Sequence, residues 1–385
     1  MGAVFSPRIL QHPTAHSHFP STPLPNLGRL VLSPARSGDH LAIHQLLQEV
    51  FRGPSAADFQ AQQEEPGYSP ASRFVIRDGQ RIVGHARVSF RELQLGAQTI
   101  PVARVFDLCV LPEFRGEGVA THLLLACEEL AREQRAVLLQ TRTPRTSLFK
   151  KVGWFTCGRH TYSLVGPREV LAEMERLRWE QSLTHQASDD LPQLSQARHP
   201  LTVRRWKQTE QAAVQRLYAE RTASLVGPLS RSDEYWRWLI ARQAYDWFYV
   251  AIDGPDRTLF DDIQGHIVGY MFLKGSRILE MAAPLDNDRA RLALLTRACR
   301  DAIEQSATPL RLDLPSDHPL LPLVAESGGK SLALDAEGGE TFLCKVLDWQ
   351  KLAASAWKNA PPVERITLQL QARPATISTS REPAA

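Results

Sequence analysis

Residues 105–120, VFDLCVLPEFRGEGVA, decide the fold of the N-terminal half of this chain. An apolar strand runs into a short turn, after which residues 115–120 open a helix with apolar periodicity. The first amides of a helix have no intrahelical partner and lie at the positive end of its dipole, so they attract phosphate. Gly116 and Gly118 keep side chains away from those amides, and Arg115 can add a forked cationic contact. The stretch therefore predicts a phosphate-binding turn.

The elements around this turn come in a characteristic order. A Walker loop needs Gly-Lys-Ser/Thr and a dinucleotide fingerprint needs Gly-x-Gly-x-x-Gly, and the turn has neither pattern. The sequence after the turn predicts a helix at 121–134, a strand at 136–140, a short helix at 146–152, the tripeptide Gly153-Trp154-Phe155 and a closing strand at 162–165. In this order, and in Arg-x-x-Gly-x-Ala after Val-x-Pro, the chain resembles the GNAT superfamily of N-acetyltransferases. The resemblance implies an α/β fold with a mixed, α+β type sheet.

The resemblance also implies a co-substrate and the residues that hold it. In the family the motif holds the pyrophosphate of acetyl-CoA, and backbone amides of the preceding strand grip the pantetheine and polarise the thioester carbonyl. On this sequence the implied contacts are the strand residues Leu108, Cys109 and Val110 and the turn residues Arg115, Gly116, Glu117, Gly118, Val119 and Ala120. The implied activity is transfer of an acetyl group from acetyl-CoA to an amine of a small molecule or peptide by direct attack.

Two departures from the family pattern concern the general acid. Phe149 stands where the family usually has a tyrosine, four residues before the glycine of the Gly-aromatic pair, and Arg142 replaces a frequent asparagine. Phenylalanine cannot donate a proton, so Tyr162 is predicted to protonate the leaving thiolate, with Ser147 or water as alternatives. The same departure keeps a second function open, that of a non-catalytic acyl-CoA-binding sensor or scaffold protein.

Asp107 is the first candidate for the general base. It precedes Cys109 by two residues in a strand, so the two side chains are expected on one face of the sheet. A hydrogen-bonded structural carboxylate is an equal alternative for Asp107. Glu92 and the pair Glu64-Glu65 are weaker candidates. Cys109, flanked by Leu and Val, is expected to be buried and inert rather than nucleophilic.

The C-terminal half repeats the order of the first. Its segments IVGY, LLTRAC and PLRLDLP, at 267–270, 294–299 and 309–315, correspond in order and character to segments at 82–85, 123–127 and 137–144. Near-constant offsets favour duplication of one fold over two unrelated α/β domains. At the position of the phosphate turn the second copy reads APLDNDRA (283–290), which has no glycine and has acidic side chains that would repel pyrophosphate. We therefore predict two tandem GNAT-like acyl-CoA N-acyltransferase folds, the second degenerate.

These observations divide the chain into five predicted parts. They are a disordered leader at 1–26, a GNAT domain binding acetyl-CoA at 27–166, a helix and linker at 167–199, a degenerate GNAT-like domain at 200–347 and a partly disordered C-terminal extension at 348–385. The predicted helix at 233–242 carries Trp236 and Trp238, which favours core packing over a substrate wall. This helix is also expected to pack on the first domain near its acceptor cleft.

An active domain followed by a degenerate one is distantly similar to the enhanced-intracellular-survival type acetyltransferases. That family adds a C-terminal sterol-carrier-like domain, for which the residues after Val346 are too few. Aminoglycoside activity is therefore not expected of this chain.

Composition narrows the partners. The 385 residues include 45 Lys and Arg against 42 Asp and Glu, and no basic run with interleaved aromatics indicates nucleic-acid binding. The 5 cysteines form no CxxC or Cys/His cluster, which favours a reducing, cytoplasmic compartment and predicts neither a metal nor a disulfide framework. No apolar run reaches the length of a membrane span, so no membrane partner is expected. A small-molecule or peptide amine is the expected partner, and an oligomer is compatible with the sequence.

Overall fold

Two mixed β-sheets with helices on their faces form the described part of the chain, in a computed structural model. It describes residues 21–24, 28–96, 98–159, 161–186, 201–223, 225–254, 266–284, 286–314, 318–333 and 341–357. The predicted α/β class with mixed sheets is confirmed. Most of the predicted leader and linker, and the C-terminal extension beyond residue 357, lie outside the described residues. No helix in the described ranges combines the length and apolarity needed to cross a membrane.

The elements are numbered in chain order. The strands are β1 (Thr22–Pro23), β2 (Leu30–Pro34), β3 (Arg73–Asp78), β4 (Arg81–Leu95), β5 (Gln98–Val110), β6 (Leu138–Thr143), β7 (Phe155–Arg159), β8 (Thr161–Val165), β9 (Thr202–Arg205), β10 (Val226–Leu229), β11 (Trp247–Ile252), β12 (Ile267–Lys274), β13 (Arg277–Ala282), β14 (Leu310–Leu312), β15 (Lys330–Ala333) and β16 (Thr341–Val346). The helices are α1 (His40–Phe51), α2 (Ala56–Gln63), α3 (Val119–Glu133), α4 (Thr146–Lys151), α5 (Pro167–Gln186), α6 (Gln211–Thr222), α7 (Asp233–Ala241), α8 (Asp288–Glu304), α9 (Leu321–Glu326) and α10 (Trp349–Trp357).

The first sheet has the strand order β1-β2-β3-β4-β5-β6-β16-β7, with β10 beside β4. Along β4 and β5 every second residue is apolar, and side chains such as Val88 and Val105 are buried in one core with α1 and α3. Gly84 brings α3 close to this sheet. A Cβ at that position would lie 3.0 Å from Val119 Cγ1 and 3.2 Å from Leu123 Cδ1. The close approach fixes where the N-terminus of α3 meets the end of β5.

The two halves of the chain exchange strands between the sheets. β8 pairs with β14 and β15 in the second sheet, whereas β16 pairs with β6 and β7 in the first. The assignment of residues 162–165 as the closing strand of the N-terminal fold is therefore wrong. Apolar patterning shows that a segment is a strand and does not show which edge it joins. The domain limits at 27–166 and 200–347 stay a prediction, while each sheet draws strands from both ranges.

The second sheet has the order β15-β8-β14-β13-β12-β11-β9. Its β12 meets α8 as β4 meets α3, because a Cβ on Gly269 would lie 3.1 Å from Leu294 Cδ1. The predicted helix at 168–181 lies within α5, and Val170 and Met174 on α5 are buried in the same core as α8. This correspondence between Gly84 and Gly269 supports the duplication inferred from the sequence, which stays a prediction.

Candidate active site

The turn between β5 and α3 presents a row of backbone amides. Gly116 and Gly118 have φ of 86° and 88°, and Gly118 is the N-cap of α3. Thr121 N donates to Gly118 O at 2.9 Å, but the amides of residues 116–120 donate no hydrogen bond within the described part of the chain. A Cβ on Gly116 or Gly118 would meet no atom within 4 Å. The positive end of the α3 dipole therefore faces open space through unpaired N–H groups, which suits a phosphate.

The other motif residues have distinct places at this turn. Arg115 is exposed, and its Nε donates to Val110 O at 3.1 Å, which ties the end of β5 to the turn. Glu117 is exposed and Ala120 is half-buried. Val119 packs beneath α3 against the sheet, so its amide alone faces the turn. All six positions of the predicted phosphate motif thus lie together.

β5 and β6 separate on the way to this turn. They pair at residues 102–104 and 138–140, although β5 continues to Val110 and β6 to Thr143. The separation exposes the edge of β5 opposite β4, and the carbonyl of Val110 points there to meet Arg115. In a strand the N–H and C=O of one residue share a direction, so the amide of Val110 faces the same opening. The opening gives an extended ligand a route along the predicted contacts Leu108, Cys109 and Val110.

The thiol of Cys109 is not activated. Its side chain is buried, and burial together with the charge of Asp107 raises the pKa of Cys109 to about 12. The thiol is therefore protonated near neutral pH and is not an activated nucleophile. Burial of Cys109 agrees with the sequence prediction. Leu108 is half-buried and Val110 is buried.

A β-bulge places Asp107. His85 pairs with Cys109 but Arg87 pairs with Phe106, so β5 has an extra residue between them, and Asp107 adopts a φ of 53°. Such bulges are frequent beside active sites, where they redirect a side chain. The side chain of Asp107 lies 3.3 Å from Arg87 Nε and 22% of it is exposed. The bulge therefore places the Asp107 carboxylate on the face of the sheet that carries Arg87 and Arg73.

His85 holds the bulge from beneath. Its Nδ1 lies 3.0 Å from Asp107 O, and its Nε2 lies 3.2 Å from Arg73 Nη1. Burial and the charge of Arg73 hold the pKa of His85 well below its usual value, so the ring is neutral. A guanidinium can only donate, hence Nε2 accepts from Arg73 and Nδ1–H donates to Asp107 O. This fixed tautomer makes His85 a support for the backbone of the bulge.

Arginines line the same face of the first sheet. Arg73 pairs with Arg87 across β3 and β4, and Arg87 pairs with Phe106 across β4 and β5, so these side chains share one face. Glu65, a weak sequence candidate for the base, accepts from Arg87 Nη1 at 3.0 Å and also from Arg91. Arg73, the cross-strand neighbour of Arg87, is fully buried, and its Nη1 lies 3.8 Å from Asp107 Oδ2. Glu65 is thus occupied by ion pairs.

Glu92 and Glu64, the remaining carboxylate candidates, lie outside this network. Glu92 accepts from Thr99 Oγ1 at 3.2 Å, and Glu64 accepts from Gln60 Nε2 at 3.0 Å, both in exposed contacts.

Tyr162 lies in the other sheet. It is on β8, and Arg311 Cζ lies 4.0 Å from the centroid of its ring. The described contacts do not bring Tyr162 together with Asp107 or with the phosphate turn, so its role as general acid stays a prediction without geometric support. Phe149 is buried and meets Trp154 edge to face at 5.2 Å, which makes it part of the core.

Helix α7 of the C-terminal half covers the arginine face. Trp238 Nε1 donates to Ala61 O at 2.8 Å, and Arg91 Cζ lies 4.1 Å from the ring centroid of Tyr235. Trp236 points the other way and is buried in its own half. The predicted packing of this helix on the N-terminal half is confirmed, and core packing describes Trp236. Tyr235 is the residue of α7 that reaches the arginines.

The corresponding turn of the second sheet is filled by its own side chains. Asn287 is the N-cap of α8, and its Oδ1 accepts from Ala290 N at 3.0 Å. Arg291 Nη1 donates to Pro284 O at 2.6 Å and the same guanidinium pairs with Asp288. One of the first amides of α8, that of Ala290, therefore has a side-chain partner, whereas the described residues offer none to the first amides of α3.

Sequence reasoning missed His85, Arg73 and Tyr235. The sequence does contain a signal for His85, because residues 85–91, HARVSFR, alternate polar and apolar side chains with a period of two. That alternation predicts a polar face on β4.

Comparisons with known proteins agree with this geometry. The family model of the Acetyltransferase (GNAT) family matches residues 40–154. Compared by sequence with curated proteins, the chain matches none. Among solved structures it is similar to a GCN5-related N-acetyltransferase from Kribbella flavida, with a TM-score of 0.59 and 16% identity over 83% of this chain and 71% of that one.

Two further solved structures are similar at the level of the fold. Eis1 from Mycobacterium abscessus has a TM-score of 0.55 and 15% identity over 84% of this chain and 75% of its own. N-myristoyltransferase from Saccharomyces cerevisiae with bound myristoylCoA has a TM-score of 0.52 and 12% identity over 84% of each chain. Identities this low show a shared fold and do not indicate a shared substrate. Residues 40–154 therefore match the GNAT acetyltransferase family, and the chain as a whole has the fold of these acyltransferases.

Proposed function

We propose that this chain is an N-acetyltransferase that moves the acetyl group of acetyl-CoA to an amine of a small molecule or peptide by direct attack. The observation that carries the proposal is the row of unpaired amides at residues 116–120, open at the N-terminus of α3 and next to the separated end of β5. Five successive N–H groups with a helix dipole behind them suit a pyrophosphate better than a single phosphate or a carboxylate. Arg115 stands beside them as an exposed cation.

The acyl arm of the co-substrate would then follow β5. From the turn, the pantetheine reaches the backbone of Leu108 to Val110, where the amide of Val110 faces the opening and can donate to the thioester carbonyl. The acetyl group would come to lie next to the bulge at Asp107, whose partly exposed carboxylate lies 3.3 Å from Arg87 Nε.

The chemical step forms a C–N bond and breaks the C–S bond of the thioester. The attacking amine loses a proton, which Asp107 or a water beside it accepts, and the CoA thiolate leaves and takes a proton from solvent. Both ion pairs of Asp107, with Arg87 and with Arg73, engage Oδ2, so Oδ1 would be the oxygen that accepts the proton. Phe149 is buried and cannot serve as the acid, and Tyr162 lies in the other sheet.

A second candidate function is a non-catalytic acyl-CoA-binding sensor or scaffold protein. It is favoured by the absence of a hydroxyl at position 149 and by the arginine contacts of Asp107, which also fit a structural carboxylate. Both candidates require acetyl-CoA binding, and they differ in turnover.

Thiol release from acetyl-CoA separates the two. The intact chain is titrated with acetyl-CoA by calorimetry, and thiol release is then followed over a panel of amino acids, peptides, polyamines and aminoglycosides. Binding with amine-dependent thiol release supports the enzyme, and binding without release for every amine supports the sensor. Because Asn287 caps α8 by accepting from Ala290 N, we expect one acetyl-CoA per chain, and a stoichiometry of two would overturn the degenerate role of the second half.

A further inference from the structure

Within the described part of the chain, the guanidinium of Arg104 on the arginine face forms no ion pair with a carboxylate. Arg104 lies on β5 opposite Ser89, on the same face as Phe106, and its Cζ lies 4.8 Å from the centroid of the Phe106 ring. Among the described residues the side chain of Arg104 takes part in no ion pair and no hydrogen bond. Burial lowers the pKa of Arg104, and the charges of Arg91 and Arg142 act in the same direction, whereas Tyr235 and Glu65 act in the opposite direction. A guanidinium that is partly desolvated among other cations is a site prepared for an anion.

The carboxylates of this face are already engaged. Glu65 accepts from Arg87 and Arg91, and Asp107 lies near Arg87 and Arg73. Two carboxylates thus serve three arginines, and Arg104 adds a further positive charge beside them. The excess charge cannot be balanced by these groups, so an anionic ligand would gain from binding there.

Helix α7 of the C-terminal half covers this part of the arginine face. Tyr235 on α7 lies against Arg91, and the neighbouring Trp238 anchors α7 to Ala61 on α2. These contacts immobilise Arg91 next to Arg104 and shield the pair from bulk water. Shielding strengthens the attraction between a guanidinium and a carboxylate, because the effective dielectric falls.

We propose that Arg104, with Arg91 beside it, binds a carboxylate of the acceptor, so that the acceptor is a small amine that also bears a carboxylate. The inference rests on the proposed function and names the substrate class of that site. Arg104 and Asp107 are three residues apart on β5, about 10 Å at roughly 3.3 Å per residue. The Arg104 guanidinium would contact the carboxylate end, and Asp107 the amine end, of a molecule of amino-acid size. Polycationic acceptors are repelled by the same arginines.

Matched pairs of acceptors test the proposal. Amino acids and their carboxamides carry the same amine and differ in one negative charge, and kcat/KM for thiol release is measured for each. The kcat/KM of the acids is expected to exceed that of their amides by about tenfold or more, because a hydrogen bond to a charged group is worth that much. Arg104→Gln should remove that preference by raising KM for the acids, leave the amides and acetyl-CoA affinity unchanged, and be partly rescued by Arg104→Lys.

A control arginine and a binding measurement complete the design. Arg205 also lies on a strand and stacks on an aromatic ring, at 4.0 Å from the Trp247 centroid, so Arg205→Gln should keep the preference. Equal rates for acids and amides, or an equal fall for both in Arg104→Gln, would overturn the proposal. Titration of N-acetylated amino acids into the chain with CoA tests the anion site without turnover. If Arg104→Gln weakens this binding, the anion site is supported even when no thiol is released. Failure of the anion site and failure of the proposed enzymatic activity can therefore be told apart.

Discussion

Substitution of Gly118 tests the phosphate turn most directly. Its φ of 88° is one that side chains rarely adopt, and forcing an L-residue into the left-handed region costs about 1–2 kcal/mol. Gly79, in the turn that joins β3 to β4, has a φ of 59° and the same open surroundings. Gly118→Ala and Gly79→Ala should therefore lower the free energy of unfolding by a similar amount, about 1–2 kcal/mol, in urea titrations.

Gly118→Asp adds a charge to the backbone cost. A carboxylate about 4 Å from a phosphate, at an effective dielectric constant of about 20, is repelled by about 4 kcal/mol. At about 1.4 kcal/mol per factor of ten, the affinity for acetyl-CoA should fall about a thousandfold. Isothermal titration calorimetry measures that affinity, and urea unfolding shows that the variant is folded. Gly79→Ala should bind acetyl-CoA as the unaltered chain does.

Two results would refute the reasoning. If Gly118→Asp folds and binds acetyl-CoA with unchanged affinity, the amides of residues 116–120 do not hold the pyrophosphate. If Gly79→Ala loses affinity as strongly as Gly118→Asp, the loss reflects general destabilisation and the turn has no special role.

Three further predictions concern the bulge and the exchanged strands. Asp107→Asn removes the charge and keeps a residue that tolerates a φ of 53°. If Asp107 is the general base, kcat should fall about 10²–10⁴-fold while the affinity for acetyl-CoA stays unchanged. A fall in kcat below about tenfold in steady-state kinetics would assign Asp107 a structural role. His85 is neutral when folded but titrates near 6.5 when unfolded, so the free energy of unfolding should fall as the pH drops below 6.5, toward a limiting slope of about 1.4 kcal/mol per pH unit, because the unfolded chain takes up the proton. In His85→Gln the slope should be smaller, since only other groups such as His40 then contribute to it, and equal slopes for the two chains in urea unfolding between pH 6.5 and 5.5 would contradict the prediction. Residues 1–166 alone lack β10 and β16 and should aggregate through the exposed strand edges, whereas a folded monomer by size exclusion would show that the halves are independent.

The order of elements in the N-terminal half could be predicted from the sequence because each signal is local. Apolar periodicity and the glycines of the turn depend on neighbouring residues, so the predicted helices at 121–134 and 146–152 lie close to α3 and α4, and the predicted strand at 136–140 overlaps β6. The phosphate motif was predicted for the same reason, since the conformation of Gly116 and Gly118 and the start of α3 follow from one short stretch.

Features that depend on contacts distant in sequence were missed. The polar stretch 53–72 contains α2, whose single buried residue Phe59 gives almost no amphipathic signal in the sequence. The bulge at Asp107 was missed because an extra residue in a strand leaves no mark in composition. The contact between Cys157 and Cys344, whose Sγ atoms lie 2.6 Å apart, depends on β16 lying beside β7.

Strand exchange gives a physical reason for the second half to remain although its own turn is filled. β16 lies between β6 and β7, so without residues 341–346 the strand β7 has no neighbour and β6 has an open edge. Lys345 on β16 also donates to Glu128 on α3 at 2.6 Å and to Val152 O at 2.7 Å, which fixes α3 against the sheet from its far side. The position of α3 determines where its first amides point. The predicted phosphate turn of the N-terminal half is therefore held in place by a strand of the C-terminal half, and we expect the C-terminal half to be required for acyl-CoA binding although Asn287 caps its own turn.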